Sequence, residues 1–124
     1  MDCIEIIGIA SQYGTYYFLD YIVRSPNLSS LKPEKTVLVK KKKRHPGGKV
    51  LQIHWVGDKY LAQSLNLDYH LESKLLQAQF KGTITIIPEK KKEYTRIRTG
   101  YFLPSPDFFE AVDLIAGHIR SAYG

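Results

Sequence analysis

The chain has 124 residues, of which 44% are hydrophobic and 24% are charged, and its formal net charge is +6. These proportions are typical of a globular protein with one hydrophobic core, and they exclude an intrinsically disordered chain. No apolar run approaches the roughly 18 residues that a membrane-spanning helix needs, so no transmembrane segment is expected. We therefore predict a single domain over residues 1–124.

The cysteine content and the first residues bear on the compartment. The single cysteine, Cys3, has no partner for an internal disulfide, which is typical of a reducing environment. The N-terminus lacks a basic segment followed by an apolar stretch and a cleavage site, so no signal peptide is indicated. We expect a cytoplasmic protein in which Cys3 is a small buried hydrophobe.

The first two predicted elements are strands. Residues 3–10, CIEIIGIA, place isoleucine on both faces of a strand, so we expect this strand in the centre of a sheet. Residues 16–24, YYFLDYIVR, are rich in β-branched and aromatic side chains and favour a second strand that pairs with the first. A short helix is the alternative, because Tyr17, Tyr21 and Arg24 also lie at helical spacing.

Two further strands and a strongly basic loop are predicted over residues 36–56, TVLVKKKKRHPGGKVLQIHWV. Leu51, Ile53 and Trp55 alternate with polar residues, which is the period of a half-buried strand. Trp55 is therefore expected to face the core. The paired glycines that follow Pro46 adopt turn conformations at low cost, so the loop can close a hairpin.

A helical region follows this hairpin. Asp58 is placed to cap a helix over residues 59–65, and Asp68 is placed to cap a helix that extends to about residue 79. The pattern does not decide between two short helices and one kinked helix. Strands are then predicted over residues 83–88 and 94–103 because both segments have high β-propensity.

The C-terminal helix has the clearest signal in the chain. Ser105 is placed at the N-cap and Pro106 at the first helical position, where its missing N–H costs nothing. The residues behind them form a wide apolar stripe, which predicts packing on a sheet: Phe108, Phe109, Val112, Ile115, Ala116 and Ile119. Gly117 lowers helix stability, and a close backbone approach would explain its presence.

The order of these elements predicts the fold class. Hairpin-linked strands with helices between them are typical of an α+β domain. We expect a mostly antiparallel sheet of about five or six strands, with helices packed on one face, including the amphipathic C-terminal helix.

Positive charge is concentrated in two segments. Residues 40–49 contain six Lys or Arg and no acid, and residues 89–98 contain five Lys or Arg and two Glu. These segments contribute +6 and +3 to a chain whose net charge is +6, so all other residues together are net −3. Consecutive cations repel one another, and a bound polyanion relieves that repulsion.

These segments predict a nucleic-acid contact, because Lys and Arg on protruding loops neutralise phosphates without reading sequence. Tyr94 and Tyr101 would add base stacking. The candidate nucleic-acid-binding residues are Lys40, Lys41, Lys42, Lys43, Arg44, Lys49, Lys90, Lys91, Lys92, Arg96 and Arg98. An acidic protein or an anionic membrane surface are alternative partners. A separate interpretation is a protein-interaction or oligomerisation domain, in which the lysine loops only keep the surface soluble.

The connection between the hairpins determines whether the basic loops share one surface. Two short helices that double back would make the strand after them antiparallel to the strand before them, with both loops at one end. One long crossover helix would place the loops at opposite ends. Asn66 and Asp68 interrupt the helical pattern, so we expect the shared surface.

Signals for catalysis or metal binding are poor. The four histidines have no metal-ligand spacing, and a single cysteine excludes a thiolate zinc site. The carboxylates are scattered, without a close pair for general acid and base chemistry. We assign no catalytic residue, no metal ligand and no cofactor, and we favour a binding function over an enzymatic one.

Overall fold

The structure is a computed structural model that describes residues 2–42, 48–80 and 82–124. It contains six strands: β1 (Cys3–Ser11), β2 (Gly14–Arg24), β3 (Thr36–Lys42), β4 (Val50–Val56), β5 (Ile84–Glu89) and β6 (Tyr94–Gly100). The helices are α1 (Lys59–Asn66), α2 (Tyr69–Ala78) and α3 (Pro106–Tyr123), and short 3₁₀ turns occupy Pro26–Ser30 and Lys90–Lys92.

The strands form one sheet in the order β1-β2-β6-β5-β3-β4, and every neighbouring pair is antiparallel. The three helices pack on one face, which we call the helix side; the opposite face is the open face. The predicted α+β fold, with an antiparallel sheet and an amphipathic C-terminal helix, is confirmed. The segment at residues 16–24 is a strand rather than the alternative helix.

The core lies between the helix side of the sheet and the three helices. Trp55 is 4% exposed and Phe108 is 1% exposed, so the inward faces predicted for β4 and α3 are confirmed. The Phe108 ring is surrounded by other aromatic rings, with its centroid 5.0 Å from that of Phe80 and 5.0 Å from that of Phe102. This aromatic group packs the start of α3 against the segments that follow α2 and β6.

Side-chain caps divide the helical region into two helices. The carboxylate of Asp58 accepts a hydrogen bond from the Leu61 N–H at 3.2 Å, and that of Asp68 accepts one from the Leu71 N–H at 2.9 Å. The Ser105 hydroxyl caps α3 in the same way by accepting from the Phe108 N–H at 3.1 Å. These bonds satisfy amide groups that a helix leaves free at its first turn.

The position of β1 differs from the prediction. The isoleucine-rich first strand lies at an edge of the sheet, pairs only with β2, and leaves Ile4 and Ile6 exposed. Cys3 is also exposed, so its predicted burial is wrong. The reason is that β6 pairs with the inner side of β2, and the helices contact β2 without reaching over β1.

The predicted shared surface of the two basic turns is also wrong. β3 is antiparallel to both β4 and β5, so β4 and β5 run in the same direction. Although α1 and α2 are separate helices, together they carry the chain across β3 and back along the sheet. With Thr36 paired to Ile86, Lys42 and Lys90 lie about 30 Å apart at roughly 3.3 Å per residue.

The close backbone approach predicted for Gly117 is absent. Gly117 lies on the exposed side of α3, and a Cβ atom there would meet no atom within 4 Å among the neighbours that the structure describes. Packing therefore does not explain this glycine.

The edge strand β4 is closed by two side-chain amides. The Trp55 N–H donates to Asn66 Oδ1 at 2.7 Å, and Asn66 Nδ2 donates to the Trp55 carbonyl at 3.0 Å. Gln79 forms the same pair of bonds with Val50, at 2.9 and 3.1 Å. Because an amide side chain carries one donor and one acceptor like a peptide group, each replaces a neighbouring strand and protects the edge.

Within the described part of the chain, none of the helices combines the length and apolar composition that crossing a membrane requires.

Phe108→Ala tests the core contact between α3 and the sheet. We expect the free energy of unfolding to fall by about 3–5 kcal/mol, because the truncation removes a fully buried ring. Phe109→Ala is the matched control on the same helix; its ring is partly exposed, and a loss of about 1 kcal/mol is expected. Urea unfolding followed by the fluorescence of the single tryptophan measures both; equal losses would contradict this packing.

Candidate functional site

Exposed lysines mark the β3–β4 end of the sheet. Lys41, Lys42 and Lys49, which we call the basic hairpin end, have exposed side chains. Among the described residues, none of these three lysines forms an ion pair with a carboxylate. The predicted contacts Lys43 and Arg44 lie outside the residues that the structure describes.

Lys40 has a different role from its neighbours. Its Nζ donates to the carbonyl of Phe80 at 3.2 Å and lies 4.4 Å from the centroid of the Phe80 ring. Burial, and secondarily the positive charge of Lys42, lower the pKa of Lys40. Lys40, a predicted nucleic-acid contact, therefore points to the helix side, where it attaches β3 to Phe80.

A groove opens beside the basic hairpin end, between β4 and α2. Its volume is about 690 Å³, and it is lined by Lys49, Val50, Leu51, Tyr69, Glu72, Ser73, Leu76, Gln77 and Gln79. Lys41 pairs with Gln52 and Lys42 with Val50, so Leu51 is an extra residue that bends β4 at this point. The Tyr69 ring is 75% exposed. The groove thus combines apolar walls, one exposed aromatic side chain and one lysine, Lys49.

The second basic segment is a 3₁₀ turn at the other end of the sheet. Lys90, Lys91 and Lys92 are exposed, and Glu89 and Glu93 flank them directly. Lys92 Nζ lies 5.8 Å from the centroid of the Tyr94 ring. The adjacent acids reduce the positive field of this turn. Residues 40–49 contain no acid, so the field of the basic hairpin end is not reduced in this way.

The two predicted arginines are held together by a buried acid on the open face. Asp20 is completely buried; Arg96 Nη1 donates to its Oδ2 at 2.8 Å, and Arg98 donates to both of its oxygens at 2.8 and 2.9 Å. Burial opposes the charge of Arg96, but the hydrogen bond to Asp20 outweighs it and raises the pKa. The hydrogen bonds to Asp20 also raise the pKa of Arg98.

Further acids surround this pair. Glu5 and Glu89 lie 3.6 and 3.5 Å from the guanidinium of Arg96, and the Tyr94 hydroxyl accepts a hydrogen bond from it at 2.6 Å. Three carboxylates therefore face two guanidiniums. Both arginines that the sequence assigned to nucleic-acid binding are neutralised within the protein. Sequence reasoning missed Asp20 because the acid lies on the neighbouring strand of the sheet but 76 residues before Arg96 in the chain.

A hydrogen-bonded chain of three polar residues joins the helices. His118 Nδ1 lies 2.5 Å from the Ser64 hydroxyl, and His118 Nε2 lies 2.6 Å from Asp68 Oδ2. The residue types match a catalytic triad, but Ser64 lies inside α1, where helical bonds occupy the N–H groups that would stabilise an oxyanion. The five most prominent cavities among the described residues are lined by other side chains. The arrangement of Ser64, Asp68 and His118 therefore serves to connect α1, α2 and α3.

The described residues contain no group of three or more His, Cys, Asp or Glu side chains arranged to hold a metal ion. Comparison of the chain with protein-family models, curated proteins and solved structures finds no match.

Asp68→Asn tests the histidine contact through pH. Burial opposes ionisation of Asp68, but hydrogen bonds from His118 and the Leu71 N–H outweigh it and lower the pKa of the carboxyl group. A lowered pKa stabilises the fold above the unfolded value of about 3.9, and this contribution is lost as pH falls through the folded value. We expect the stability difference between wild type and Asp68→Asn to shrink as the pH falls below about 4.

Urea unfolding at a series of pH values measures this difference, and asparagine still caps α2. Asp113→Asn, at an exposed position of α3, is the control, and we expect its stability difference to stay small throughout. A difference for Asp68→Asn that does not change in acid would contradict the assigned contact.

Asp20→Asn tests the buried cluster. Removing the charge leaves two guanidiniums without their main partner, so we expect a loss of about 3 kcal/mol in the free energy of unfolding. The control Glu5→Gln removes a partly exposed acid at 3.6 Å from Arg96 and is expected to cost less than about 1 kcal/mol. Similar values for the two variants would show that burial of Asp20 has no energetic consequence.

Proposed function

We propose that this protein binds single-stranded nucleic acid through the basic hairpin end and the groove between β4 and α2. One observation carries the proposal. Lys49 lines the groove, whose rim also presents the exposed side chain of Tyr69, and the exposed Lys41 and Lys42 belong to the same hairpin end, without an ion-pair partner among the described residues. Proteins that bind single strands without sequence preference combine these two features, cations for the backbone and aromatic rings for the bases.

The chemistry of the groove assigns different parts of a nucleotide to different residues. Lys41, Lys42 and Lys49 are suited to phosphates because an ammonium group neutralises them without a fixed geometry. Glu72 lines the groove and repels phosphate. The nucleic-acid backbone is therefore restricted to the lysines of the basic hairpin end, and the groove is left for an uncharged base. Tyr69 offers a stacking surface, and only an unpaired base exposes a face to it.

Several of the predicted nucleic-acid contacts lie outside the proposed binding site. Arg96 and Arg98 are excluded because acids neutralise them, and Lys40 is excluded because its ammonium group bonds to Phe80. The turn Lys90–Lys92 lies about 30 Å from Lys42 by strand register. That turn therefore serves as an internal comparison for the basic hairpin end.

The triple variant with Lys41, Lys42 and Lys49 changed to Ala tests the phosphate contacts. We expect the slope of log affinity against log salt to flatten by about 2, since each single-strand phosphate contact contributes about 0.7. The matched control changes Lys90, Lys91 and Lys92 to Ala, which removes the same charge from the other end of the sheet. Fluorescence anisotropy with labelled DNA and RNA single strands of equal length measures both variants.

Equal slopes for the two triple variants would contradict a local site and indicate only an effect of net charge. Tyr69→Ala separates stacking from charge: it is expected to weaken binding by about 1–3 kcal/mol without changing the salt slope. Two other outcomes would replace the proposal. Stronger binding to vesicles that contain phosphatidylserine would identify a membrane surface as the partner, and absence of binding to any oligonucleotide would favour the solubilising role of the lysines.

A further inference from the structure

The two edges of the sheet are treated differently by the rest of the chain. β4 is closed by the amides of Asn66 and Gln79, whereas among the described residues no side chain bonds to the outer backbone edge of β1. β1 is nine residues long and pairs with β2 from Cys3 to Ser11 without a register shift. It also lacks the lysine, proline or bulge with which edge strands ordinarily resist pairing.

Apolar side chains surround this open edge. On the helix side, five of them form what we call the β1 patch: Ile4 (47% exposed), Ile6 (60%), Tyr17 (52%), Tyr101 (61%) and Leu103 (95%). The rings of Tyr17 and Tyr101 are in contact, with centroids 5.8 Å apart. A cavity of about 350 Å³, lined in part by Ile6 and Leu103, lies within the patch. On the open face, the neighbouring side chains of Ile9 and Tyr16 are exposed as well.

We propose that β1 pairs antiparallel with β1 of a second copy of this chain, across a two-fold axis perpendicular to the sheet. The isoleucine pattern of β1 is that of a strand buried on both faces in the centre of a sheet, yet the single chain places it at an edge. Pairing with a second copy makes β1 central in a continuous sheet of twelve strands. The central position that the sequence pattern predicts is then attained in the dimer.

Apolar side chains of β1 itself lie beside the pairing edge. Ile4 and Ile6 on the helix side and Ile9 on the open face are 47%, 60% and 44% exposed, so antiparallel pairing places them beside the partner's β1. A two-fold axis brings these residues against their own counterparts, so apolar surface meets apolar surface. The one charged residue of β1, Glu5, points to Arg96 on the open face.

Electrostatic repulsion does not oppose this association strongly. β3 lies four strand spacings from β1, or about 19 Å, so the basic hairpin ends of two paired copies are separated by about 40 Å. Charges at that distance are screened at physiological salt, where the Debye length is about 8 Å. The β1 patch itself contains no cation, so an acidic partner would be attracted to the basic hairpin end instead of this edge.

Sedimentation of the protein from about 5 to 200 μM, without nucleic acid, tests the proposal. We expect a concentration-dependent dimer in wild type and at least a 10-fold weaker dimer in Ile6→Lys, which adds a charge beside the pairing edge. Val56→Lys is the matched control: it adds the same charge at a 52% exposed position of the other edge strand and is expected to dimerise as wild type does. A monomeric wild type, or an Ile6→Lys dimer of unchanged affinity, overturns the proposal.

Hydrogen exchange of wild type provides a second readout that needs no variant. We expect the outer amides of β1 to exchange more slowly at high protein concentration, while the amides of β4 exchange at the same rate. A dimer that forms without added protection of β1 overturns the proposal, because the copies would then meet elsewhere. This inference is independent of nucleic-acid binding, and each can fail without the other.

Discussion

The buried carboxylate of Asp20 sets the arrangement of the open face. A fully buried charge is tolerated only with strong partners, and Asp20 has two, Arg96 and Arg98 of the neighbouring strand. These ion pairs fasten β2 to β6, and this contact is the one through which the β1–β2 hairpin joins the rest of the sheet. The same pairing removes two arginines from the positive surface. Stability of the sheet and the position of its free cations are thus determined together.

Local signals in the sequence predict local structure well. The caps at Asp58, Asp68 and Ser105 and the two-residue period around Trp55 depend only on neighbouring residues, and each was predicted correctly. Strand order depends on pairing between distant segments, and no local pattern specifies it. The positions of β1 and of the basic turns were therefore predicted wrongly. For the same reason, counting charges treated Arg96 as free, although its partner is 76 residues away.

The helical region between β4 and β5 has several structural roles at once. Asn66 and Gln79, near the ends of α1 and α2, supply the amides that close β4, and Gln79 also lines the groove. Residue Asp68, between the helices, caps α2 and bonds to α3 through His118. The groove therefore lies against a part of the sheet that is fixed from both sides, which favours a preformed binding surface.

The separation of β2 from β6 along the chain has a consequence for synthesis on the ribosome. The β1–β2 hairpin is made before β6, since Arg96 follows Asp20 by 76 residues. At about 5–20 residues per second, the nascent hairpin waits roughly 4–15 s for its inner neighbour. A two-stranded hairpin is marginally stable alone, and both of its long sides offer unpaired peptide groups during this interval. The nascent chain thus passes through a period in which residues 3–24 are exposed to misassembly.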